Sequence, residues 1–276
     1  MPSDAWLSPA SLPPAAAAFD AIAERFDLRY GAWLSVAAQR SAVRARLVAA
    51  FPRGSRLIDI GGGTGEDAEF LIRAGRSVQL TDASPAMVRV AEAKLRPLGA
   101  PAPRVVPAER LDAFADERDA AGLTPFDGGY SNFAALNCVT SLSDPARGLA
   151  RLIRPGGKLV LVIFGTCPPG EWLVQLARLD IRSAFRRASR GEVHARLGGR
   201  EFTVRYHRAA DVARAFGPWF RLVERRGIGV FVPPSAAEPA MSRFPRVLAA
   251  LEAMDRLVSR PLAALGDHVL YELERR

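Results

Sequence analysis

One short run of residues constrains this chain more than any other. Leu57-Ile58-Asp59-Ile60 is an apolar stretch with a single acid, and Gly61-Gly62-Gly63-Thr64-Gly65 follows it directly. A buried strand that ends in closely spaced glycines turns tightly, because glycine enters the left-handed region without steric cost, and its bare backbone can lie against a ligand. Such a turn feeds a strand into a helix, which directs the chain toward an α/β sheet. The Gly-x-Gly-x-Gly spacing lacks the extra residue of the dinucleotide fingerprint, and no Gly-Lys-Ser/Thr is present to hold phosphates. Glu66 and Asp67 then open the helix, placing two carboxylates where a pyrophosphate would dock. The expected ligand is a nucleoside without a phosphate.

The surrounding pattern agrees. Beyond the Pro52-Arg53-Gly54 turn, strand signals at 56–60, 77–81, 104–106, 126–131 and 158–164 alternate with helical patterns at 66–74, 85–95 and 145–153. Alternation of this kind builds a parallel sheet covered on both faces. Upstream, residues 19–50 carry apolar positions at helical spacing, interrupted near Gly31, behind a loose Pro-, Ala- and Ser-rich arm at 1–16. Downstream, residues 166–219 separate the fifth strand from the next, near 220–226, where a crossover helix needs only ~10–15 residues, so a segment is inserted. Its expected parts are an amphipathic helix over 171–187 and a hairpin turning at Gly198-Gly199. The helix carries Leu173, Leu176, Ala177, Ile181, Ala184 and Phe185 on one side and Arg178, Arg182 and Arg186 on the other. The hairpin pairs Ala195 with Phe202 and Val193 with Val204, leaving His194, Arg196, Glu201 and Thr203 on its other face. Helices at 209–216 and 239–258 and a closing strand at 268–273 complete the pattern. The expected fold is α/β: a seven-stranded, mostly parallel, doubly wound sheet with helices on both faces and an inserted helix-hairpin lid after the fifth strand. Residues 1–50 form an arm and helical cap, 51–165 the cofactor-binding half, 166–208 the lid, and 209–276 the C-terminal part of the core.

Asp82 ends the second strand, Val78-Gln79-Leu80-Thr81-Asp82. An acid there accepts hydrogen bonds from ribose hydroxyls. Alternatively, Asp82 or Ser84 caps the helix that starts at Pro85. With these residues in view, the sequence resembles the class I S-adenosylmethionine-dependent methyltransferases of the small-molecule type. Asp59-Ile60-Gly61-Gly62-Gly63-Thr64-Gly65 looks like their first motif and Leu80-Thr81-Asp82-Ala83-Ser84-Pro85-Ala86-Met87 like the second. Phe126-Asp127-Gly128-Gly129-Tyr130-Ser131-Asn132 resembles the fourth, and Leu152-Ile153-Arg154-Pro155-Gly156-Gly157-Lys158-Leu159 the turn before the fifth strand. The four blocks cover about residues 55–165 in family order.

The resemblance implies S-adenosylmethionine as cofactor and assigns residues to it. Asp59 would face the methionine ammonium, Gly61, Gly63 and Gly65 would carry the backbone beneath the cofactor, Asp82 would hold the ribose, and Ala83 and Met87 would flank the adenine. Ala108 and Glu109 fall where the family has an acid-containing adenine loop, although Pro107 stands where an aspartate is common. Ser131, Asn132 and Phe133 would line the methyl end, with plain core packing as the alternative for Phe133. A sulfonium methyl is already activated, so the protein has to align an acceptor and exclude water, with no metal required. A general base helps a hydroxyl acceptor, and the candidates are His194, His207, Tyr30 and Asp20. In the family, segments before the first strand and after the fifth cover the site, here 19–36 and 166–206.

Charge narrows the acceptor. The formal net charge is +9, and residues 178–226 hold 13 arginines against five acids, +8 of that total. A field of this sign on the lid attracts an acidic small molecule, a carrier-bound intermediate, a lipid headgroup or RNA. The alternative is a solvated surface in an arginine-rich chain. The expected activity is transfer of a methyl group to O or N of a small metabolite, an acidic one if the lid charge is used. The other readings are an RNA or protein methyltransferase and a non-catalytic cofactor-binding regulatory subunit. No Asn-Pro-Pro-Tyr-type tetrad follows the fourth strand and no basic platform interleaved with aromatics is present, which disfavours nucleic acid. Cys138 and Cys167 are too few for a disulfide framework or a four-ligand zinc site. With no export signal and no membrane-spanning run, the expected location is the cytoplasm.

Overall fold

The computed structural model describes residues 12–189 and 191–276. Three helices precede the sheet: α1 (Pro14–Asp20), α2 (Ala23–Tyr30) and α3 (Leu34–Ala50). Helix α1 starts inside the segment read from sequence as a loose arm. Pro14 presets its first turn, and Ala16 and Ala18 are buried. The remainder of that arm, 1–11, lies outside the described residues. The alternation then runs β1 (Arg56–Ile60), α4 (Glu66–Arg73), β2 (Ser77–Asp82), α5 (Pro85–Leu95), β3 (Arg104–Val105), α6 (Leu111–Ala120), β4 (Phe126–Ser131), α7 (Ser143–Leu152) and β5 (Ile153–Phe164). Helix α6 has no counterpart in the sequence expectation, because its buried stripe is only Leu111, Phe114 and Ala115 within a run of charges. Beyond β5 come α8 (Pro169–Ala177), α9 (Ile181–Phe185), β6 (Glu192–Leu197), β7 (Arg200–Arg205), α10 (Ala209–Phe216), β8 (Phe220–Ile228), α11 (Pro245–Val258) and β9 (His268–Arg275).

Seven strands form one sheet in the order β3-β2-β1-β4-β5-β9-β8, while β6 and β7 pair apart from it. Strands β1 to β5 are parallel and β9 runs antiparallel to both its neighbours. Alternate residues of each strand feed two apolar layers. Leu57, Leu80 and Val160 meet Leu47 of α3, Leu71 of α4 and Leu95 of α5. Ile58, Leu159 and Leu161 meet Phe114 of α6, Leu149 of α7 and Phe216 of α10. Each such side chain contributes about 1.5–3 kcal/mol on burial, so together these layers outweigh the ~1–3 kcal/mol cost of a strained loop residue at the sheet's edge. Strand order reverses between β1 and β4, where doubly wound sheets open a crevice at their carboxyl ends.

Between β5 and α10 the chain departs from expectation in one respect. The single helix expected over 171–187 is two, because Leu179 takes a left-handed φ of 59° and the Asp180 side chain accepts a hydrogen bond from Ser183 N at 2.9 Å, capping α9. Leu173, Leu176, Ile181 and Phe185, from the side read as apolar, are exposed, whereas Arg187 is buried. The hairpin has the expected register, Ala195 opposite Phe202 and Val193 opposite Val204, with Gly198 and Gly199 both at positive φ as a two-residue turn demands. The helical stretch expected over 239–258 begins only at Pro245. Proline holds Phe244 in a non-helical conformation, and a short turn at Met241–Arg243 precedes it.

Candidate active site

A cavity of about 470 Å³ lies across the carboxyl ends of β2, β1, β4 and β5 and the amino end of the antiparallel β9. Its floor includes Asp59, Gly61, Gly63, Asp82, Asn132 and Phe133. Its roof is Phe19 of α1, Phe26 and Tyr30 of α2, and Leu197 and Phe202 of the hairpin. Roof and hairpin pack as one apolar unit, Ala18 against Phe202, Val204 and Tyr206. Asn137 ties that unit to the sheet, donating to Arg205 O at 2.6 Å and accepting from Phe164 N at 3.0 Å.

The glycine turn places the first polar groups. Gly61 sits at φ 68°, and a Cβ there would lie 2.4 Å from the Ala135 Cβ, so no other residue fits without displacement. Gly63 sits at φ 55°, and its N–H donates to Asp82 Oδ2 at 2.8 Å. Ser84 N donates to Asp82 Oδ1 at 2.8 Å. Burial pushes the Asp82 carboxyl up, partly offset by these backbone donors. The helix cap is Ser84, whose Oγ accepts from Met87 N at 3.1 Å, so Asp82 is left for the cavity. Asp20 accepts from Ser84 Oγ at 2.9 Å and Ala86 N at 2.7 Å, which places this base candidate at the start of α5. Asp27 accepts from Thr64 Oγ1 at 2.6 Å and Lys94 Nζ at 2.8 Å, fastening α2 over the glycine turn.

Beside Gly61 lies a buried acidic pair. Asp59 is 1% exposed, accepts from Tyr130 OH at 3.0 Å and has no cation within ion-pair distance among the described residues. Burial, reinforced by the nearby Asp67 carboxylate, raises its pKa well above the usual carboxylate range. Asp67 is better served, accepting from Arg44 Nε at 2.7 Å and Asn132 Nδ2 at 2.8 Å, with Arg40 at 3.5 Å. Those arginines answer the repulsion expected from Glu66 and Asp67 at the start of α4.

At the far side, above β5 and β9, the cavity is walled by Phe133, Phe164 and His268. Phe133 and Ala134 have positive φ, 48° and 61°, uncommon for non-glycine residues and costing of order 1–3 kcal/mol each. Phe133 N is fixed by Asn132 Oδ1 at 2.7 Å, and the Arg40 guanidinium lies over the ring at 4.6 Å. Arg187 is 4% exposed and pinned between Glu171 and Asp267, 2.8 Å from Asp267 Oδ1. Burial alone would push the Asp267 carboxyl up, but Arg187 and His268 hold it well below the usual range.

Of the residues named from sequence, Asp59, Gly61, Gly63, Asp82, Ala83, Met87, Ala108, Glu109 and Asn132 line this one cavity, as do Tyr30 and Phe133. Gly65 and Ser131 do not. Gly65 turns the chain into α4 at φ 83°, and Ser131 Oγ donates to Ile60 O at 2.8 Å beneath the floor. His194 is on the exposed face of the hairpin, and the buried His207 ring is hydrogen-bonded to Val139 O at 3.1 Å, so neither base candidate reaches the cavity. Sequence reading missed Gln39, Arg40 and His268. The first two sat in an unremarkable helix and His268 at the start of the closing strand, with no local motif to single them out.

Comparison with known proteins bears on what this cavity serves. A family model described as a methyltransferase domain matches residues 33–216 of the 276. The chain belongs to this methyltransferase family. No curated protein matches it. Among solved structures, this methyltransferase is similar to CcbJ from Streptomyces caelestis at 17% identity and TM-score 0.53, over 99% of this chain and 94% of that one. It is similar to geranyl diphosphate C-methyltransferase from Streptomyces coelicolor, solved with Mg2+, geranyl diphosphate and S-adenosyl-L-homocysteine, at 17% identity and TM-score 0.52, over 86% and 79% of the two chains. A putative S-adenosylmethionine-dependent methyltransferase from Listeria monocytogenes gives 13% identity and TM-score 0.53, over 84% and 96%. These likenesses show the class I methyltransferase fold. Among the described residues, no helix is long and apolar enough to cross a membrane.

Proposed function

We propose that this methyltransferase transfers the methyl group of S-adenosylmethionine to oxygen or nitrogen of a small, acidic metabolite in the cytoplasm. The observation that carries the reading is one continuous, roofed cavity joining the Asp59 and Asp82 floor to a far wall of Phe133, Phe164 and His268. The residues fit the donor. Asp59 lacks a cation and suits an ammonium, Asp82 keeps lone pairs for ribose hydroxyls, and Ala83, Met87, Val106 and Leu136 form an apolar slot for a base. The cavity volume falls within the ~300–1,000 Å³ typical of small-molecule sites. The donor, when bound, supplies a methyl on a cationic sulfur. The chain's part is to orient it, bring the acceptor in line and keep water out, which the α1–α2–hairpin roof serves.

The acidic preference rests on Arg196, which lines the cavity with no ion pair among the described residues; Arg186 and Arg187 line it too, but both pair with Glu171, and Arg187 also with Asp267. A macromolecular acceptor is the competing reading, and one experiment separates the two. The deciding experiment supplies methyl-labelled S-adenosylmethionine to the protein with cell extract separated into metabolites, carrier proteins and RNA. Label in the metabolite fraction supports the reading, and label confined to protein or RNA overturns it. Asp82→Ala should weaken S-adenosylmethionine binding by calorimetry with an unchanged circular dichroism spectrum. Unchanged affinity would remove Asp82 from the ribose role.

A further inference from the structure

We propose that His268 is the general base of methyl transfer to a hydroxyl acceptor, with Asp267 as the residue that positions it; this rests on the methyltransferase reading above. His268 is 6% exposed and the only one of the three histidines that lines the cavity. Its ring is stacked on Phe164 at 5.0 Å between centroids and meets Phe133 edge-on at 5.9 Å, so its orientation is set by packing. Nδ1 lies 3.1 Å from Asp267 Oδ2. That carboxylate is held in turn by Arg187 Nη2 at 2.8 Å on Oδ1 and by Gln39 Nε2 at 3.3 Å on Oδ2. An ionised carboxylate only accepts hydrogen bonds, so the neutral ring carries its proton on Nδ1 and its lone pair on Nε2. Nε2 has no protein partner among the described residues and is not sealed in the core, which leaves it to the cavity.

Position supports the role. Phe133 follows Asn132 at the carboxyl end of β4, and His268 opens β9 two strands away, about 10 Å at the usual ~4.8 Å spacing. The Phe133 and Phe164 rings pack against His268, so an acceptor would approach Nε2 from the cavity side of this aromatic cluster. In the step, a lone pair of the acceptor oxygen forms a bond to the methyl carbon while the carbon–sulfur bond breaks. Its electron pair stays on sulfur, giving neutral S-adenosylhomocysteine. The hydroxyl proton passes to His268 Nε2, and the imidazolium is stabilised by Asp267 and later releases the proton to solvent. A carboxylate or other proton-free acceptor would need no such group, so the arrangement suits an acceptor with a proton to lose, as a hydroxyl has. The charged groups around the ring are Asp267 from its own strand end, Arg187 from the turn after α9 with Glu171 behind it, and Arg40 of α3 across Phe133.

The test uses the full chain labelled with 15N-histidine, and methyl-labelled S-adenosylmethionine with the metabolite fraction of a cell extract. Nitrogen shifts should show His268 protonated on Nδ1 and free on Nε2, with that preference lost in Asp267→Asn. The opposite tautomer in the wild type overturns the proposal. The wild-type rate should fall on acidification as the base takes a proton. His268→Gln should lower transfer about 10²–10⁴-fold and flatten that dependence, with S-adenosylhomocysteine affinity by calorimetry reporting an intact donor site. Added imidazole should restore part of the rate in His268→Ala. Should His268→Gln stay within threefold of wild type, His268 is not the base although the methyltransferase reading survives. If the wild type labels no metabolite, that reading falls and the base assignment falls with it.

Discussion

Replacing Asp59 by asparagine should make the protein more stable and worse at holding its donor. The Asp59 carboxylate, one residue before the end of β1, accepts one hydrogen bond, from Tyr130 OH at 3.0 Å, beside the Asp67 carboxylate and with no cation paired to it among the described residues. Its folded-state pKa is raised, chiefly by burial. The folded chain therefore binds more protons here than the unfolded one between the ordinary carboxylate range and the raised value, and stability is lost as pH climbs through that interval. The asparagine amide keeps an oxygen for Tyr130 and removes the penalty, so Asp59→Asn should gain at least ~1 kcal/mol at neutral pH and little near pH ~4. Donor binding should move the other way. A charge-assisted hydrogen bond to an ammonium is worth about 1.5–3 kcal/mol, which amounts to roughly 10–150-fold in affinity. The ammonium favours ionised Asp59, so binding should release protons and tighten with pH across the same interval. Calorimetry in buffers of different ionisation enthalpy measures that release. A wild-type affinity that is independent of pH and releases no protons, or an unchanged Kd in Asp59→Asn, would refute the assignment.

Three further outcomes follow from packing and charge. Gly61→Ala forces a Cβ onto Ala135 at a positive φ, and should cost about 1–3 kcal/mol in chemical denaturation along with donor affinity; a neutral effect would contradict the geometry of the turn. Arg187→Ala removes the buried cation that Glu171 and Asp267 share, leaving Glu171 to Arg186 and Asp267 to Gln39 and His268, and should cost about 3 kcal/mol. Because Arg187 holds Asp267 below its ordinary range, that contribution is present at neutral pH and fades on acidification, so wild type and variant melting temperatures should converge in acid. Arg196→Ala should raise KM for an acidic acceptor several-fold while leaving S-adenosylhomocysteine affinity unchanged, and Arg182→Ala, outside the cavity, should change neither; equal effects would mean the charge acts only at long range.

Much of the sheet was legible because its signals are local. Asp59 to Gly65 and Leu80 to Met87 are contiguous, and each strand, glycine and cap within them follows from neighbours in sequence. The hairpin register was legible for the same reason, since two glycines and an alternating pattern leave one pairing that keeps its faces consistent. The inserted segment was harder to read. Leu173 to Phe185 has helical spacing, but Asp180 finds a capping bond that ends one helix and starts another, and the apolar side then meets solvent. Where the base candidates lie was not legible, because exposure and hydrogen bonding are properties of place: His194 faces outward, His207 is taken by Val139 O, Asp20 holds the start of α5, and Tyr30 lines the cavity.

Charge shows the same division. By itself the sequence determined a glycine-turned α/β sheet, carboxylates at Asp59 and Asp82 beside the turn, and an arginine excess between 178 and 226. Which of those arginines meet a ligand was decided only in three dimensions. Arg221 pairs with Glu274, Arg226 with Glu224, and Arg187 with Glu171 and Asp267, partners up to 80 residues distant, while among the described residues only Arg186, Arg187 and Arg196 of the set reach the cavity. His268 belongs to that second category. An imidazole acquires a role from the carboxylate at one nitrogen and the space at the other, and of these the sequence shows only that Asp267 precedes it.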